Sequence, residues 1–341
     1  MTDEEALSAP PTSVDVARRA GVSQSAVSLV FGGKASGRVG KRTQEAILHA
    51  AHELGYRPNL AARTLRSGRS HLVALVVPDV SNPFFAAVLQ GAEQAARASG
   101  YSVMLAHVRN EQDWQPVILD ALKSRSVDGF VFCTLEPSTE SERRALQGKA
   151  VLVDGVSHTF PFLMLDIEAG MDTAMTHLVS SGHTKIAHLA AAVDAETFHL
   201  RHRAYLDALQ RAGYPVTAAY QERAPFLISE AYQAAYRLLA CADPPSAVVC
   251  DSDVLAVGVY KAARELRRRI PQDVSVVSFD DSIIARILDP ELTTVAIPAS
   301  SIGEQAFLLL LEVLEEGRVP SQVTVPLELV VRASTTAITS Q

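Results

Sequence analysis

Gln24, Ser25, Ser28 and Leu29 fall on the outer side of a helical stretch whose inner side carries Ala26, Val27 and Val30. Amides and hydroxyls so placed can pair with base edges, because a DNA major groove about 12 Å wide admits a helix. A second chemistry lies further on. Asp79, Asn82, Phe84 and Phe85 follow the apolar run Leu72 to Val77, Asp251-Ser252-Asp253 follow Ala247 to Cys250, and Asp280-Asp281 follow Val274 to Phe279. Ligands of open α/β folds bind beyond the carboxyl ends of strands, which makes these acceptors and rings ligand candidates. Asp253 and Asp281 suit helix caps or structural acceptors better than ligand contacts. One of Phe84 and Phe85, at a helix start, belongs to the core.

Other chemistries are excluded by what their residue types require. The loop Gly32 to Arg38 is glycine-rich like a phosphate loop, but Arg38 stands for the required Lys, Val39 for the Ser or Thr, and no strand precedes it. The chain has no Gly-x-Ser-x-Gly elbow, dinucleotide fingerprint or metal pair, so neither catalysis nor a cofactor is expected. His177, His183, His188, His199 and His202 lack a metal-ligand triad and are read as structural. Cys133, Cys241 and Cys250 are odd in number and without metal or redox spacing, as reduced thiols in a cytoplasm would be.

The elements that must position the base-reading helix are legible from their caps. Thr12-Ser13-Val14-Asp15 is a capping box opening a helix to Ala20, with Val16 and Ala20 as its buried stripe and Gly21 as its stop. Ser23 caps Gln24 to Phe31, and two short helices joined by Gly-Val-Ser make a helix-turn-helix. A third helix, about Lys41 to Leu54, carries Ala46, Ile47, Ala50, Ala51 and Leu54 inward and stops at Gly55. After the turn Tyr56-Arg57-Pro58-Asn59, a short helix Asn59 to Arg66 is expected, ended by Ser67-Gly68. Isolated helices below about 12 residues are marginal, so this one should fold only on DNA and a partner. Charge agrees: residues 12–71 carry ten bases against three acids, a surplus of +7, while residues 72–341 hold −11 of the overall −7. A basic module on an acidic body places a nucleic-acid surface at one end. Residues 1–11 lack apolar periodicity and read as a disordered tail.

Beyond Leu72, strand-length apolar runs alternate with helical patterns, which predicts parallel sheets covered on both faces. Expected strands are Leu72 to Val77, Ser102 to Ala106, Gly129 to Cys133, Ala150 to Val153, Lys185 to Ala190, Ala247 to Cys250 and Val274 to Phe279. Helices are expected from near Pro83, Gln112, Glu168, Arg201, Ser229, Ser252 and Ser301. That count exceeds one tidy sheet, so two lobes are expected. No leader pattern and no apolar stretch of 18 residues appears, so a membrane partner or export is not expected.

The segments "TSVDVARRAGVSQSAVSLVF", "ELGYRPNLAARTLRSGRS", "LVALVVPDVSNPFF", "HLVSSGHTKIAHL", "SDVLAVG", "DVSVVSFDD", "LTTV" and "ELVVRAST" resemble, in order, the lactose-repressor (LacI) family of transcriptional regulators. The resemblance implies a three-helix DNA-binding domain at 12–57, a hinge helix and linker at 58–70, and a periplasmic-binding-protein-like core of two doubly wound parallel sheets at 71–341. Lobe 1 would take about 71–165 and 295–320, and lobe 2 about 166–294 and 321–335. The three crossings would lie near Leu163 to Asp166, Asp289 to Ala296 and Val319 to Thr324. The implied DNA-binding set is Thr12, Ser13, Val14, Ser23, Gln24, Ser25, Ser28, Leu29, Arg38, Tyr56, Asn59, Ala62, Arg63 and Leu65, with Leu65 wedged into the minor groove. Leu29 departs from the family's common arginine and cannot make its bidentate guanine contact.

The implied effector set is Asp79, Asn82, Phe84, Arg201, Ser252 and Asp280. Arg201 matches Arg-x-x-Gly-Tyr with Ala204 for glycine, and Asp280 matches the family's "GFDD" with Ser278 for glycine. A guanidinium opposite a carboxylate suits a polyhydroxylated, sugar-like ligand, although the two could instead pair with each other. The resemblance further implies a homodimer on a double-stranded, pseudo-palindromic operator, acting as a cytoplasmic, nucleoid-associated repressor. Only Thr336 to Gln341 follow "ELVVRAST", so a leucine-heptad tail is not seen and a dimer rather than a tetramer is expected. A solute-binding protein or an effector-insensitive regulator is the alternative.

Overall fold

A computed structural model describes residues 11–33, 35–57, 68–108, 120–121, 124, 126–134, 139–155, 157–317 and 322–338. The helices expected over Asn59 to Arg66 and from Gln112 lie in segments outside those residues. The chain divides into two units, Met1–Ser70 and His71–Gln341.

The first unit is three helices, α1 (Ser13–Ala20), α2 (Gln24–Phe31) and α3 (Lys41–Glu53). Both arms of the α1 capping box form: Asp15 N donates to Thr12 Oγ1 and Thr12 N to Asp15 Oδ2. Gly21, at φ 67°, takes the left-handed conformation that ends the helix at no Cβ cost. Ser23 Oγ accepts from Ala26 N to start α2. Val16, Ala17, Val27, Ile47, Ala50 and Ala51 are the buried core. Two residues depart from the expected stripes. Ala17 rather than Ala20 is the second buried residue of α1, and Ala46 faces solvent, because Ile47 and Ala50 already define the stripe of α3.

The second unit contains two six-stranded sheets. The first runs β11 (Val323–Val325), β5 (Phe162–Leu165), β4 (Ala150–Val153), β3 (Gly129–Cys133), β1 (Leu72–Val77), β2 (Ser102–His107), all parallel. The second runs β12 (Glu328–Val330), β10 (Thr293–Ala296), β9 (Ser275–Asp280), β8 (Ala247–Cys250), β6 (Ile186–Ala191), β7 (Gln221–Ala224), with β12 antiparallel to β10. Every residue of β3, β4, β6 and β8 is buried, as parallel strands covered on both faces must be. The helices are α4 (Pro83–Ala98), α5 (Glu140–Leu146), α6 (Ile167–Ser180), α7 (Glu196–Arg211), α8 (Ile228–Ala240), α9 (Asp253–Glu265), α10 (Ile283–Ile287) and α11 (Ala299–Glu316). α4 and α11 cross so closely that a Cβ on Gly91 would meet the Ser300 carbonyl oxygen at 1.8 Å.

The chain passes between the sheets after β5, after β10, and between β11 and β12. Residues 323–325, expected in lobe 2, therefore belong to the first sheet, and 295–296, expected in lobe 1, to the second. β7, β10, β11 and β12 are strands that the apolar pattern does not reveal, while β5, an apolar run Phe-Leu-Met-Leu, lies at the crossing expected near Leu163 to Asp166. α7 begins at Glu196, five residues before the expected start, because its N-cap Ala195 offers no side-chain signal. Among the described residues no helix is long and apolar enough to cross a membrane.

Candidate functional site

In the first unit the N-termini of α1 and α2 are tied together, Gln24 Nε2 donating to Ser13 Oγ at 3.0 Å. Two helix N-termini thus face one side, where backbone amides and dipoles favour phosphate. Thr12, Val14, Ser23, Gln24 and Ser25 are exposed there, and Ser13, Ser28 and Leu29 are half-buried. The hydroxyl of Thr12 is used in its cap, and its bonds hold the Asp15 carboxyl below its usual range. Ser23 Oγ lies 2.8 Å from Ser25 Oγ. Tyr56, half-buried, packs edge-on against Phe31 at 5.5 Å. Arg38 is exposed on its loop. Arg18 and Arg19 pair internally, with Asp15 at 3.4 Å and Glu53 at 2.8 Å. α3 differs: Gly40 gives it no side-chain cap, and Lys41 and Arg42 occupy a first turn without an acid. Cations there oppose the helix dipole, a local cost that an approaching phosphate removes. Asn59, Ala62, Arg63 and Leu65 lie outside the described residues.

In the second unit a cavity of about 350 Å³ opens between the carboxyl ends of the two sheets, and Asp79, Asn82, Phe84, Arg201, Ser252 and Asp280 all line it. Asp79 holds the turn after β1 by accepting from Ser81 N at 2.8 Å and Ser81 Oγ at 2.7 Å. Asn82 caps α4, accepting from Phe84 N at 3.0 Å. Phe84 is half-buried at the cavity, and Phe85, 7% exposed and part of the core, also contributes to the cavity lining, so the two are not divided between core and cleft.

Arg201 is 4% exposed, with its guanidinium 4.4 Å from the Phe279 ring centroid and 5.1 Å from that of Phe198. Its Nη1 donates to the Asp251 carbonyl, and its Nε is buried without a partner among the described residues. Ser252 caps α9 and donates to Asp280 Oδ2 at 2.7 Å. Arg201 and Asp280 thus each bond elsewhere rather than to each other. Burial, reinforced by nearby Asp253 and opposed by Arg201, pushes the Asp280 carboxyl up to about 7.

Asp253 and Asp281 take structural roles. Buried Asp253 accepts from Ser278, from Ser282 N at 2.7 Å and Oγ at 2.9 Å, and from Thr294 at 3.0 Å, joining α9 to β9, α10 and β10. Asp281 pairs with Arg332 at 2.5 Å. Asp251 turns its carboxylate away from the cavity, to His188 Nε2 and Ala191 N, both at 2.8 Å. Burial works against its ionisation, but His188, Arg201 and the Ala191 amide together hold its carboxyl low. The other expected structural histidines include His183, bonded to Ser246 Oγ and the Thr336 carbonyl.

The cavity also holds residues outside the expected effector set: Thr134, Asp154, Thr197, Phe198 and Phe226. The strand-end rule reaches Thr134 and Asp154, which follow β3 and β4. Thr197 and Phe198 are hidden by the uncapped start of α7, and Phe226 by the polar sequence of β7. Asp154 is raised by burial against the pull of Arg201. The Thr197 hydroxyl lies close enough to favour the ionised form of Asp154, yet forms no hydrogen bond of good geometry. Thr134, Asp154 and Asp280 have φ of 55°, 58° and 113°, backbone strain that clusters where a ligand would sit. The set offers donors, acceptors and rings; among the described residues no cluster of His, Cys, Asp or Glu could hold a metal.

Comparison with known proteins agrees with both halves. Residues 13–59 match the family described as "Bacterial regulatory proteins, lacI family", and residues 175–335 match a "Periplasmic binding protein-like domain". The transcriptional regulator DegA of Bacillus subtilis (strain 168) is 30% identical over 335 residues, covering 96% of this chain and 98% of DegA. The structure of the Lac repressor dimer bound to operator and the anti-inducer ONPF superposes with a TM-score of 0.83 at 25% identity, covering 96% of this chain and 100% of that one. The complex of the transcriptional regulator CelR with cellobiose gives 0.71 at 28% identity, covering 95% and 99%.

Proposed function

Because the chain belongs to the lacI family of bacterial regulatory proteins, we propose that it is a cytoplasmic repressor that grips a pseudo-palindromic operator as a homodimer. Its effector, sugar-like, occupies the cavity between the lobes. The chain is a transcriptional regulator and not an enzyme. In this reading Gln24, Ser25, Ser28 and Leu29 face the bases, the amides of α1 and α2 face phosphates, and Lys41 and Arg42 gain the anion that α3 lacks. Tyr56, Arg38 and the segment carrying Asn59, Ala62, Arg63 and Leu65 complete the contact, with Leu65 the minor-groove wedge. The exposed Met104 and Leu105 of edge strand β2, with Ile283 and Ile287 of α10, supply apolar surface for pairing.

The observation that carries the ligand response is where the cavity lies. Leu165 and Ile297, which line it, adjoin two of the passages between sheets, so an occupant pulling Asp79 and Arg201 together changes the angle between lobes. Such a coupling is worth typically about 1–3 kcal/mol. The supporting relatives are a repressor dimer on its operator and a regulator holding cellobiose.

The test begins with a binding site selected from random duplexes and measured by fluorescence anisotropy. A two-fold-symmetric site is expected, bound by two chains and released or tightened by a small molecule. Leu65→Ala should weaken that site far more than nonspecific DNA; equal loss on both would mean Leu65 is not the wedge.

A further inference from the structure

We infer that the cavity takes an uncharged polyhydroxylated molecule with one flat apolar face, and that it rejects the phosphorylated form of the same molecule. This deepens the effector reading above and rests on it.

Charge opposes a phosphorylated ligand. Asp79, Asp154, Asp251 and Asp280 line the cavity, and among its described lining residues Arg201 is the one base. Asp251 is turned to His188, which leaves three acids toward the ligand, with Asp280 fully ionised only on the alkaline side of about 7, where exclusion of an anion is strongest. Arg201 is already committed, stacked between two rings and bonded to the Asp251 carbonyl. A phosphate entering here would meet three acids and only the unspent Nε of one guanidinium. Like charges facing each other in a desolvated contact cost several-fold more than a surface pair gains.

Hydrogen-bonding capacity favours hydroxyls. The buried Arg201 Nε needs an acceptor, and the buried Thr197 hydroxyl has no partner among the described residues. The Asp280 carboxyl, whose Oδ2 already accepts from Ser252, and the Asp154 carboxyl beside Thr197 can each take a further hydrogen bond from a ligand. A hydroxyl supplies both roles at once, so a ring of hydroxyls satisfies donors and acceptors that a carboxylate or phosphate ligand cannot.

Shape favours a flat apolar face. Phe84 stands on the wall from the first sheet, and Phe198 and Phe226, with ring centroids 5.7 Å apart, stand on the wall from the second. Apolar rings on both walls ask for a face without polar groups, which an aryl glycoside or a nucleoside base offers and a bare monosaccharide offers only in part.

The probes are matched sets: phenyl β-glucoside, its 6-phosphate and glucose; adenosine, its 5′-monophosphate and ribose. Each is titrated into the full-length protein at pH 8, with thermal shift and calorimetry as readouts. The expected result is that a flat-faced neutral compound binds, its phosphate ester binds on the order of a hundredfold more weakly, and the plain sugar binds more weakly too. The double variant Asp154→Asn with Asp280→Asn keeps the backbone conformation that asparagine tolerates. It should bind the ester at least roughly tenfold better relative to the neutral parent than the unaltered protein does, with operator binding as the check on folding. An ester that binds as well as its parent, or a plain sugar that binds best, would overturn the inference and leave the effector reading standing. Silence from all six compounds would overturn both.

Discussion

Asp280 carries opposing demands at a single residue. Burial and Asp253 push its carboxyl up to about 7, so near neutrality the folded chain holds a proton there that the unfolded chain would have released. The sign follows from linkage: the folded state binds more protons between the ordinary carboxylate value and about 7, so stability falls as pH rises across that window. Without ligand, Asp280→Asn should therefore melt higher than the parent at pH 8, with the gap closing toward pH 4. Its ceiling is about 1.4 kcal/mol for each unit of displacement. Melting curves whose gap is constant across that range would contradict the assignment. Arg201→Ala makes the complementary prediction: operator affinity is retained while the effector response is abolished, read by anisotropy with and without ligand. A variant that still responds normally would remove Arg201 from the site.

At the scale of elements, the crossing of α4 over α11 depends on two glycines. A Cβ on Gly303 would meet the Val88 carbonyl oxygen at 1.9 Å, and Gly91 is equally tight against Ser300. Because the obstruction is backbone, Gly303→Ala should cost roughly 1–3 kcal/mol or more, seen as a lower denaturation midpoint with unchanged m-value. The same scale shows why some elements are legible in the sequence and others are not. β1, β3, β4 and β8 stand out as apolar runs whose ends match the folded strands, since a strand covered on both faces has no polar residue to blur it. β7 reads Gln-Glu-Arg-Ala and is an edge strand, and β11 and β12 span three residues each, so tertiary pairing rather than local pattern forms them. α1 and α2 announce themselves through Thr12 and Ser23, whereas α7, capped by Ala195, does not. The cavity is legible wherever a strand end is. Asp79, Ser252 and Asp280 come from that rule and Arg201 from resemblance, while Thr197 and Phe226 depend on boundaries that pattern alone misplaces.

Over the whole molecule, charge is divided between a basic first segment and an acidic remainder, and that division sets how salt acts. Replacing Lys41 and Arg42 with alanine should flatten the dependence of log K on log salt by roughly 0.9 for each phosphate that is no longer neutralised, while leaving binding in the cavity untouched. An unaltered slope would mean that α3 does not approach the backbone of DNA. The left-handed backbone at Asp154 and Asp280 has a further reach, into how a lineage of such regulators changes its signal. Few side chains tolerate that conformation, chiefly glycine, asparagine and aspartate. From an aspartate codon, asparagine and glycine are each one nucleotide away, and both erase the charge. The genetic neighbourhood of this cavity is therefore narrow and tilted: drift at these two codons leads first toward a site that admits anions, with most other substitutions filtered out by folding before selection on the ligand can act.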